Sequence, residues 1–348
     1  NNISHNNNIN GNSLDNIGIW PSNPSSYEWK GTISQSNNQW IVVAYCKEKL
    51  KDVVIKIKCI SDESDDELSN FMLNTSNLIK LKEYNNLLLI PSHIFTYIKQ
   101  IWLIYPQHSG GQISELLASH YPNGINDESI TARILLDVLN GLKVMHNNQI
   151  CHRELKASSL HLSKDEGITR LTEFGNLKNI KWSKQYKARN TMIFKQNPYI
   201  SPELLMNNKD ASWFKGDIYS FGVLAMELCF GQPPNTKKNV IDKQYYLPTK
   251  IDDYNKKCPY SKAFVDMVNS CTKDEDKRIK LNDLLEHTFF KKACTHDVVK
   301  QRLGGLLKSL ESRINQNFKA PNTMIKQQNI ILTNSIIVRN GNNNNNNN

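Results

Sequence analysis

The sequence lacks the marks of several classes of protein. Its seven cysteines form no CxxC pair and no spacing typical of metal ligands, which argues against a zinc module or a disulfide-stapled scaffold. The longest apolar run, near Phe221–Phe230, is too short to span a bilayer, and no secretory signal is visible. We therefore expect no membrane partner and a cytoplasmic chain whose thiols are reduced and mostly fill cores, with the nucleus as the alternative compartment.

Both ends of the chain have little that could form a core. Residues 1–26 (NNISHNNNINGNSLDNIGIWPSNPSS) and the last residues (NGNNNNNNN) are rich in Asn and Ser and lack apolar periodicity. Such segments cannot bury enough apolar surface to offset the entropy that they lose on ordering. We expect residues 1–26 to be disordered, and residues 293–348 to be helical at first and then disordered. Residues 296–316 predict one further helix with a pair of glycines at its centre.

The formal charge of +10 is spread along the chain. Short basic clusters occur at Lys181–Lys195 and Lys291–Lys308, but neither alternates with aromatic residues as a platform for single-stranded nucleic acid would. We expect a solvated basic face and no nucleic-acid partner, and an acidic protein partner remains open.

Strand-like segments come first in the remaining chain, and helical periodicity follows. Strands are predicted at WKGTISQ, WIVVAYC, DVVIKIKCI, LLLIPSHIF and QIWLIYP, with a helix after the acidic loop SDESDDE. After SGG, helices are predicted in ITARILLDVLNGLKVMH, DIYSFGVLAMELCF, SKAFVDMVNSCT and LNDLLEHTFF. The pattern predicts an α+β, two-lobed fold over residues 27–292. A β-rich small lobe at 27–105 and a helical large lobe at 106–292 would enclose a cleft.

Six short motifs occur in order along this region. They are VVIK at 53–56, HREL at 152–155 followed by Lys156, EFG at 173–175, SPE at 201–203, GDIYSFG at 216–222 and DEDKR at 274–278. Together they resemble a protein kinase over residues 27–292. AYC before VVIK, SGG, and HTFF after DEDKR are similar to the Ste20 family. KAS at 156–158 and the stretch KQNPYISPELL are most similar to its STRAD-type pseudokinases.

The resemblance implies an ATP site, with or without magnesium. Lys56 would pair with the α- and β-phosphates. The carbonyl of Pro106 and the N–H of His108 would meet the adenine, and Tyr105 holds the bulky gatekeeper position.

Two supports of such a site are missing. The strand turn that should approach the phosphates reads ISQSNNQW, from Ile33 to Trp40, and contains no glycine. The helix position that should carry a glutamate for Lys56 holds Thr75 or, in an alternative register, Phe71, and neither is acidic. Lys56 would therefore be a cleft lysine without its usual clamp.

The resemblance also places the catalytic chemistry at altered residues. Glu154 stands where an aspartate would be the base, and its extra methylene moves the carboxylate by about 1 Å, a misplacement that can cost about a hundredfold in rate. Lys156 is kept and could touch a γ-phosphate. Ser159 replaces an asparagine that would hold a second magnesium ion, and Glu173 replaces the metal-binding aspartate, which predicts weak metal binding or none.

Residues that keep the kinase fold together are present. The resemblance pairs Glu203 with Arg278 and lets Asp217 fasten the backbone of the catalytic loop. It also stacks Phe174 on His152. Breaking a buried ion pair typically costs about 3–5 kcal/mol, so these positions indicate structure and not chemistry.

The sequence therefore favours a pseudokinase that activates or scaffolds an active protein kinase. The STRAD resemblance implies a partner of the tumour-suppressor liver-kinase type, which would face residues Asn176–Pro202, and an armadillo-type helical-repeat scaffold. The Trp-Glu-Phe ending that can bind the scaffold is not found at the end of this chain, which weakens that second partner. The alternatives are a weakly active Ser/Thr protein kinase and an interaction module with a collapsed nucleotide site.

Overall fold

The computed structural model describes residues 20–36, 39–60, 65–172, 178–179, 197–206, 210–234 and 258–321. Within these residues, buried side chains form two separate hydrophobic cores, one in a β-rich lobe and a larger one in a helical lobe. The predicted α+β, two-lobed fold is confirmed.

The small lobe is built on a five-stranded antiparallel sheet with the order β1-β2-β3-β5-β4. Val53, Ile55 and Ile57 of its central strand are fully buried, whereas the residues between them are partly exposed, as the alternation predicts. The strands are β1 (Tyr27–Ser36), β2 (Gln39–Cys46), β3 (Lys51–Cys59), β4 (His93–Tyr97) and β5 (Gln100–Pro106).

Helix α1 (Asp65–Ile79) follows the sheet's third strand, and β4 begins later than the sequence predicts. Of the segment LLLIPSHIF, only the part from His93 onward is a strand, because Pro91 has no N–H to donate to a ladder. Leu88 instead forms an isolated parallel bridge to Leu171 in the other lobe. This stretch thus connects the two lobes.

The disorder that we expect for residues 1–26 does not extend to residues 20–26. Trp20 packs against the small-lobe core, and the Tyr27 hydroxyl donates a 2.8 Å hydrogen bond to the carbonyl of Pro21. A short 3-10 helix at Pro24–Ser26 then leads into β1. Residues 1–19 lie outside the described part of the chain.

The large lobe is organised around two long helices. Helix α3 begins after Asp127, whose carboxylate accepts hydrogen bonds from the N–H groups of Ser129 and Ile130. Every residue of α5 from Gly216 to Cys229 is buried, so this helix is the centre of the lobe. The helices are α2 (Ile113–His120), α3 (Glu128–Asn147), α4 (Pro202–Leu205), α5 (Trp213–Phe230), α6 (Lys262–Thr272) and α7 (Leu281–Leu285), with a 3-10 helix at Thr288–Lys292.

Short strands hold the loops that face the small lobe. A three-stranded sheet has the order β6-β8-β9, and β7 pairs with β10. Their bounds are β6 (Gly110–Gln112), β7 (Ile150–Cys151), β8 (Leu160–Ser163), β9 (Thr169–Leu171) and β10 (Lys178–Asn179).

Residues 296–316 do not form the single helix that their periodicity predicts. Helix α8 (His296–Leu303) ends where a 3-10 turn, Gly304–Leu306, begins, and α9 (Leu310–Arg313) follows. A Cβ on Gly304 would come within 2.8 Å of the Lys164 carbonyl, so glycine lets the chain pack closely there and turn. Residues 322–348 lie outside the described residues. None of the helices in the described ranges combines the length and apolar character needed to cross a bilayer.

Candidate functional site

Lys56 and Tyr105 share one face of the small-lobe sheet. Lys56 lies opposite Leu103 on β5, and Tyr105 lies opposite Val54. Lys56 and Val54 belong to the partly exposed side of β3, the side turned away from the small-lobe core. Two of the residues expected at the nucleotide are thus brought to one surface.

Helix α1 offers a hydroxyl and a ring, and not a carboxylate, at the two candidate clamp positions. Thr75 is buried, and its hydroxyl donates a 2.9 Å hydrogen bond to the Phe71 carbonyl. The ammonium group of Lys58 lies 5.4 Å from the centre of the Phe71 ring. Neither register of the helix therefore provides an acidic partner for Lys56 at these two positions.

The hinge between the lobes runs from Pro106 to the start of β6. Pro106 still pairs with Val53 at the end of β5, and His108 follows in a half-buried position. Burial lowers the pKa of His108, the charge of Arg170 lowers it further, and Glu166 opposes both. His108 is therefore neutral at pH 7, which leaves an uncharged hinge beside the cleft.

A second histidine, His161, lies under the hinge, and sequence reasoning missed it. Its ring is buried, 6.4 Å edge-on from the ring of His108, and burial together with His108 lowers its pKa to about 3. Its Nε2 has no hydrogen-bond partner in the described part of the chain. The alternating segment SLHLS gave no signal of this burial, because His161 pairs on both sides, with Gln112 and with Arg170 on neighbouring strands.

The catalytic loop that follows β7 is fastened by one carboxylate. Asp217 of α5 accepts backbone hydrogen bonds from His152 (2.9 Å) and Arg153 (2.8 Å). Arg153 has φ +67°, a left-handed conformation that is strained for a residue with a Cβ, and its guanidinium lies 3.9 Å from the Trp213 ring centre. The expected role of Asp217 as the anchor of this loop agrees with these contacts.

Glu154 and Lys156 bind each other. The ammonium nitrogen of Lys156 lies 2.6 Å from Oε1 of Glu154, and the two side chains are 33% and 28% exposed. A base must offer a lone pair to the proton that it takes, and a phosphate-binding lysine must offer its charge to the phosphate. In this arrangement the carboxylate of Glu154 accepts a hydrogen bond from Lys156, and the charge of Lys156 is directed at Glu154.

Ser159 is turned into its own loop. It is fully buried, accepts a 3.0 Å hydrogen bond from the Lys156 N–H and donates a 2.7 Å hydrogen bond to the Lys156 carbonyl. Its hydroxyl therefore closes a turn, and none of its described contacts leaves it aimed at a metal ion.

Glu173 and Phe174 lie outside the described residues, so their expected roles stay predictions. Thr172, the residue before them, is described. Its N–H donates to the Ser159 carbonyl at 2.9 Å, and its carbonyl lies 3.1 Å from Nε2 of His152. No group of three His, Cys, Asp or Glu side chains arranged to hold a metal occurs within the described ranges.

Of the residues expected at a nucleotide and its metal ion, Glu173 lies outside the described residues, so metal binding stays a prediction. The hinge backbone and the shared face of Lys56 and Tyr105 suit an adenine and its phosphates. Magnesium prefers an octahedral set of oxygen ligands, and in the described cleft the Glu154 carboxylate and the Ser159 hydroxyl are both engaged elsewhere.

The expected buried ion pair of the large lobe is formed. Arg278 donates to both carboxylate oxygens of Glu203, at 2.6 and 3.1 Å, and Arg278 is 3% exposed. Burial would raise the pKa of Glu203, but the hydrogen bonds and the charge of Arg278 outweigh it and hold the pKa low. The pair joins α4, at the end of the SPE motif, to the loop before α7.

A C-terminal strap, residues 309–321, crosses from the large lobe to β1, and sequence reasoning missed this path. Arg313 donates to both oxygens of Glu115, at 2.7 and 2.9 Å, and to the Gly110 carbonyl beyond the hinge. Asn315 donates its backbone N–H to the Thr32 carbonyl at 2.9 Å. The strap and the start of α2 border a cleft of about 550 Å³ that reaches Ile33.

Comparison with known proteins agrees with this architecture. Residues 36–290 match the family model described as the protein kinase domain. Serine/threonine-protein kinase fray1 of Dictyostelium discoideum is 26% identical over 297 residues, which cover 83% of this chain and 50% of that protein. Germinal center kinase 3 of Caenorhabditis elegans is 28% identical over 301 residues, 78% of this chain and 48% of that protein. Serine/threonine-protein kinase sid1 of Schizosaccharomyces pombe is 27% identical over 289 residues, 80% of this chain and 56% of that protein.

The chain thus spans about half the length of these relatives. Because the family match covers more than half of its 348 residues, the chain belongs to the protein kinase domain family, with homologues among the Ste20-type serine/threonine kinases.

Proposed function

We propose that this chain is a STRAD-like pseudokinase of the cytoplasm that has lost phosphotransfer and acts as an allosteric activator or scaffold of an active protein kinase. The observation that carries the proposal is the 2.6 Å ion pair between Glu154 and Lys156. It couples the position of the base to the position of the phosphate-binding lysine, so that both groups must leave this contact before they can act on a substrate.

The ion pair competes with catalysis but does not by itself abolish it. A partly exposed pair is typically worth under about 1 kcal/mol, which corresponds to less than a tenfold population effect. The displaced carboxylate of Glu154 adds a cost of about a hundredfold. Ser159 is engaged with its own loop, and the turn from Ile33 to Trp40 contains no glycine. All of these changes affect groups that would act together on the phosphate of ATP. Their effects on the rate of phosphotransfer are therefore not expected to add independently.

Nucleotide would then serve as a structural ligand. The hinge from Pro106 to His108 would hold the adenine, and Lys56 would hold the phosphates, without need of magnesium. A ligand that binds only the folded chain stabilises the arrangement of the two lobes. This would keep the large lobe in the shape that a partner kinase recognises.

The partner surface that we propose is the large lobe around residues 176–202, the segment that an active kinase uses for regulation. Its described end is anchored, because the Ser220 hydroxyl donates to the Tyr199 carbonyl at 2.7 Å. A helical-repeat scaffold is the second proposed partner.

The alternative is a weakly active Ser/Thr protein kinase that uses Glu154 as base and Glu173 with magnesium. The names of its relatives favour this alternative, since fray1 and sid1 are called serine/threonine-protein kinases.

The decisive experiment is transfer of labelled phosphate from ATP to a generic protein substrate by the purified full chain, with magnesium or manganese. Lys56→Met and Glu154→Gln remove the two groups that any catalysis would need. Lys58→Met, on the same strand face, is the matched control. We expect equal background incorporation by all four proteins. Incorporation by the wild type that both cleft variants lose and Lys58→Met keeps would establish the weakly active kinase instead.

Nucleotide binding is tested by thermal unfolding with millimolar ATP in EDTA and in magnesium. Ligand at about a hundred times its dissociation constant adds about 2.7 kcal/mol, a shift of several degrees. We expect a shift in EDTA that Lys56→Met reduces. A shift that requires magnesium would favour the active kinase, and no shift in either buffer would favour an interaction module with a collapsed site.

The partner proposal is tested by capture of protein kinases on the immobilised full chain, with their activity measured before and after capture. We expect Arg189→Glu to abolish capture, whereas Lys291→Glu, a matched charge reversal outside the proposed surface, and Lys56→Met preserve it. If Lys56→Met abolished capture and Arg189→Glu preserved it, partner binding would depend on the nucleotide cleft. That result would contradict the proposed surface.

A further inference from the structure

Two cysteines far apart in sequence lie side by side at the base of the large lobe. Cys229 is the second-last residue of α5, and Cys258 precedes α6 by four positions. Their sulfur atoms are 3.7 Å apart. Cys229 is 1% exposed, whereas Cys258 is half-buried.

The segment that carries Cys258 is fixed to α3. The hydroxyl of Tyr260 bonds to the Ile125 carbonyl and to the Thr131 hydroxyl, the latter at 2.8 Å. The N–H of Ser261 donates to a carboxylate oxygen of Glu128 at 3.1 Å. These three bonds hold the chain within three residues of Cys258, so the position of its sulfur is restrained.

The end of α5 that carries Cys229 is equally fixed. Gly231 closes the helix with φ +79° and donates its N–H to the Glu227 carbonyl at 2.8 Å. A Cβ at Gly231 would meet the Pro122 carbonyl at 2.2 Å, which shows how closely this turn packs. Because hydrogen bonds and close packing restrain both backbone segments, the short distance between the two sulfurs follows from the fold.

We propose that Cys229 and Cys258 form a reversible redox modification site, a dithiol that hydroperoxides oxidise to a disulfide and that dithiol reductants restore. A covalent bond requires the sulfurs to approach from 3.7 Å to about 2.05 Å, a change that side-chain rotation can supply. The site does not depend on whether the chain transfers phosphate.

The chemistry assigns different tasks to the two thiols. The hydrogen bond between the two sulfurs lowers the pKa of Cys258. For Cys229 the same contact, together with burial, raises the pKa. Cys258, the more exposed of the two, therefore provides the thiolate that attacks, and Cys229 is the buried thiol that resolves.

Oxidation proceeds through a sulfenic acid on Cys258. The Cys258 thiolate attacks one oxygen of the hydroperoxide, the O–O bond breaks, and the other oxygen leaves as an alcohol or water after taking a proton. The sulfur of Cys229 then attacks the resulting sulfenic acid, the S–O bond breaks, and hydroxide leaves with the Cys229 proton as water. In the net reaction two thiols are oxidised, one hydroperoxide is reduced, and one disulfide, one alcohol and one water form.

The disulfide would link the two ends of residues 230–257 and fasten α5 to α6. Helix α5 also holds the catalytic loop, because Glu227 accepts the Ala157 N–H at 2.8 Å only two residues before Cys229. Oxidation would therefore add a covalent restraint to the helix that positions this loop.

The test uses the full chain treated with a small excess of hydrogen peroxide, followed by blocking of free thiols and peptide mapping without reductant. We expect a cross-linked peptide pair containing Cys229 and Cys258 that dithiothreitol abolishes. Closing a loop of this length should raise the midpoint of thermal unfolding by about 5–10 °C. Cys258→Ser should lose both effects, and Cys294→Ser, which changes another half-buried cysteine, should keep them.

Three results would overturn the proposal. One is mapping that finds Cys258 as sulfinic acid or free thiol with no link to Cys229. Another is a link of either cysteine to a third one as the main product. The third is a rise in the unfolding midpoint that persists in Cys258→Ser. The mapping of the unsubstituted chain decides the outcome even if a variant fails to fold.

Discussion

A sharp test of how the catalytic loop is held is Asp217→Asn, compared with Glu227→Gln on the same helix. Both substitutions replace a buried carboxylate of α5 with a neutral amide of similar shape. Asp217 accepts the backbone N–H groups of His152 and Arg153, at 2.9 and 2.8 Å, and lies 2.8 Å from Nε2 of His146. Glu227 accepts one backbone N–H within the same loop.

The pKa values of the two carboxyl groups are shifted in opposite directions. Burial would raise the pKa of Asp217, but the hydrogen bond and charge of His146, with the further donors, outweigh burial and lower it. Burial raises the pKa of Glu227, and the N–H of Ala157 offsets this only in part. The negative charge therefore stabilises the folded chain at 217 and does not at 227.

The difference should be large enough to measure by urea unfolding. An asparagine at 217 turns an NH₂ group toward a fixed N–H donor or toward His146, and breaking a buried charged contact of this kind costs about 3–5 kcal/mol. A glutamine at 227 keeps an oxygen for the Ala157 N–H, and the neighbouring Tyr199 hydroxyl can rotate to accept. We expect a loss under about 1 kcal/mol there.

The pH dependence of the free energy of unfolding provides a second, independent measurement. A carboxyl group with a lowered folded pKa contributes stability above its unfolded pKa, about 3.9, and loses that contribution as the pH falls through the folded value. The gap between wild type and Asp217→Asn should therefore stay constant from pH 7 to pH 5 and narrow below about pH 4. For Glu227→Gln, the stability of the variant relative to wild type should instead increase as the pH rises, because the wild-type carboxyl group becomes charged while it is buried.

Asp276→Asn, an exposed control, should change stability by less than about 0.5 kcal/mol. Equal losses at 217 and 227, or a loss under 1 kcal/mol at 217, would refute the assignment of the anchor.

Other contacts give similarly direct tests. Arg278→Met should cost about 3–5 kcal/mol in urea unfolding because it leaves the Glu203 carboxylate buried and unpaired, and a loss under 1 kcal/mol would contradict a buried pair. Arg313→Ala should cost less than about 1 kcal/mol but should speed proteolytic cleavage within residues 309–321, measured by mass spectrometry; unchanged cleavage would mean that this arginine does not hold the strap. Gly31→Ala should speed the same cleavage, since its Cβ would come within 2.5 Å of Ile314, and a rate equal to wild type would mean that the Ile314 side chain simply moves aside.

Local periodicity was enough to predict the parts of the fold that repeat along the chain. The alternation of β3 and the buried stripe of α3 depend only on spacing within one element, so they could be recognised without knowing their neighbours. The partners of Asp217 and of Arg278 were also predictable, because the motifs that contain them recur in a fixed order in the family that the sequence resembles.

The strap could not be predicted in the same way. The bond from the Thr32 hydroxyl to the Lys319 carbonyl joins residues 287 positions apart, and nothing in the local composition of residues 309–321 indicates such a partner. His161 was missed because a polar residue in an alternating strand usually indicates an exposed position, whereas the hinge covers it here. The ion pair of Glu154 and Lys156 depends on the loop conformation, including the left-handed backbone at Arg153, which residue types alone do not specify.

The contacts that shape the catalytic loop are separate from the groups that would perform its chemistry. Asp217 and Glu227 hold the loop through its backbone N–H groups, which every residue except proline provides. Glu154 pairs with Lys156 on a partly exposed surface, where such a pair is worth under about 1 kcal/mol. Ser159, at the position of a metal-binding asparagine, supports the turn with two hydrogen bonds of its own. A loop built in this way can lose its base and its metal ligand at little cost in stability, so a chain can keep the kinase shape without kinase chemistry.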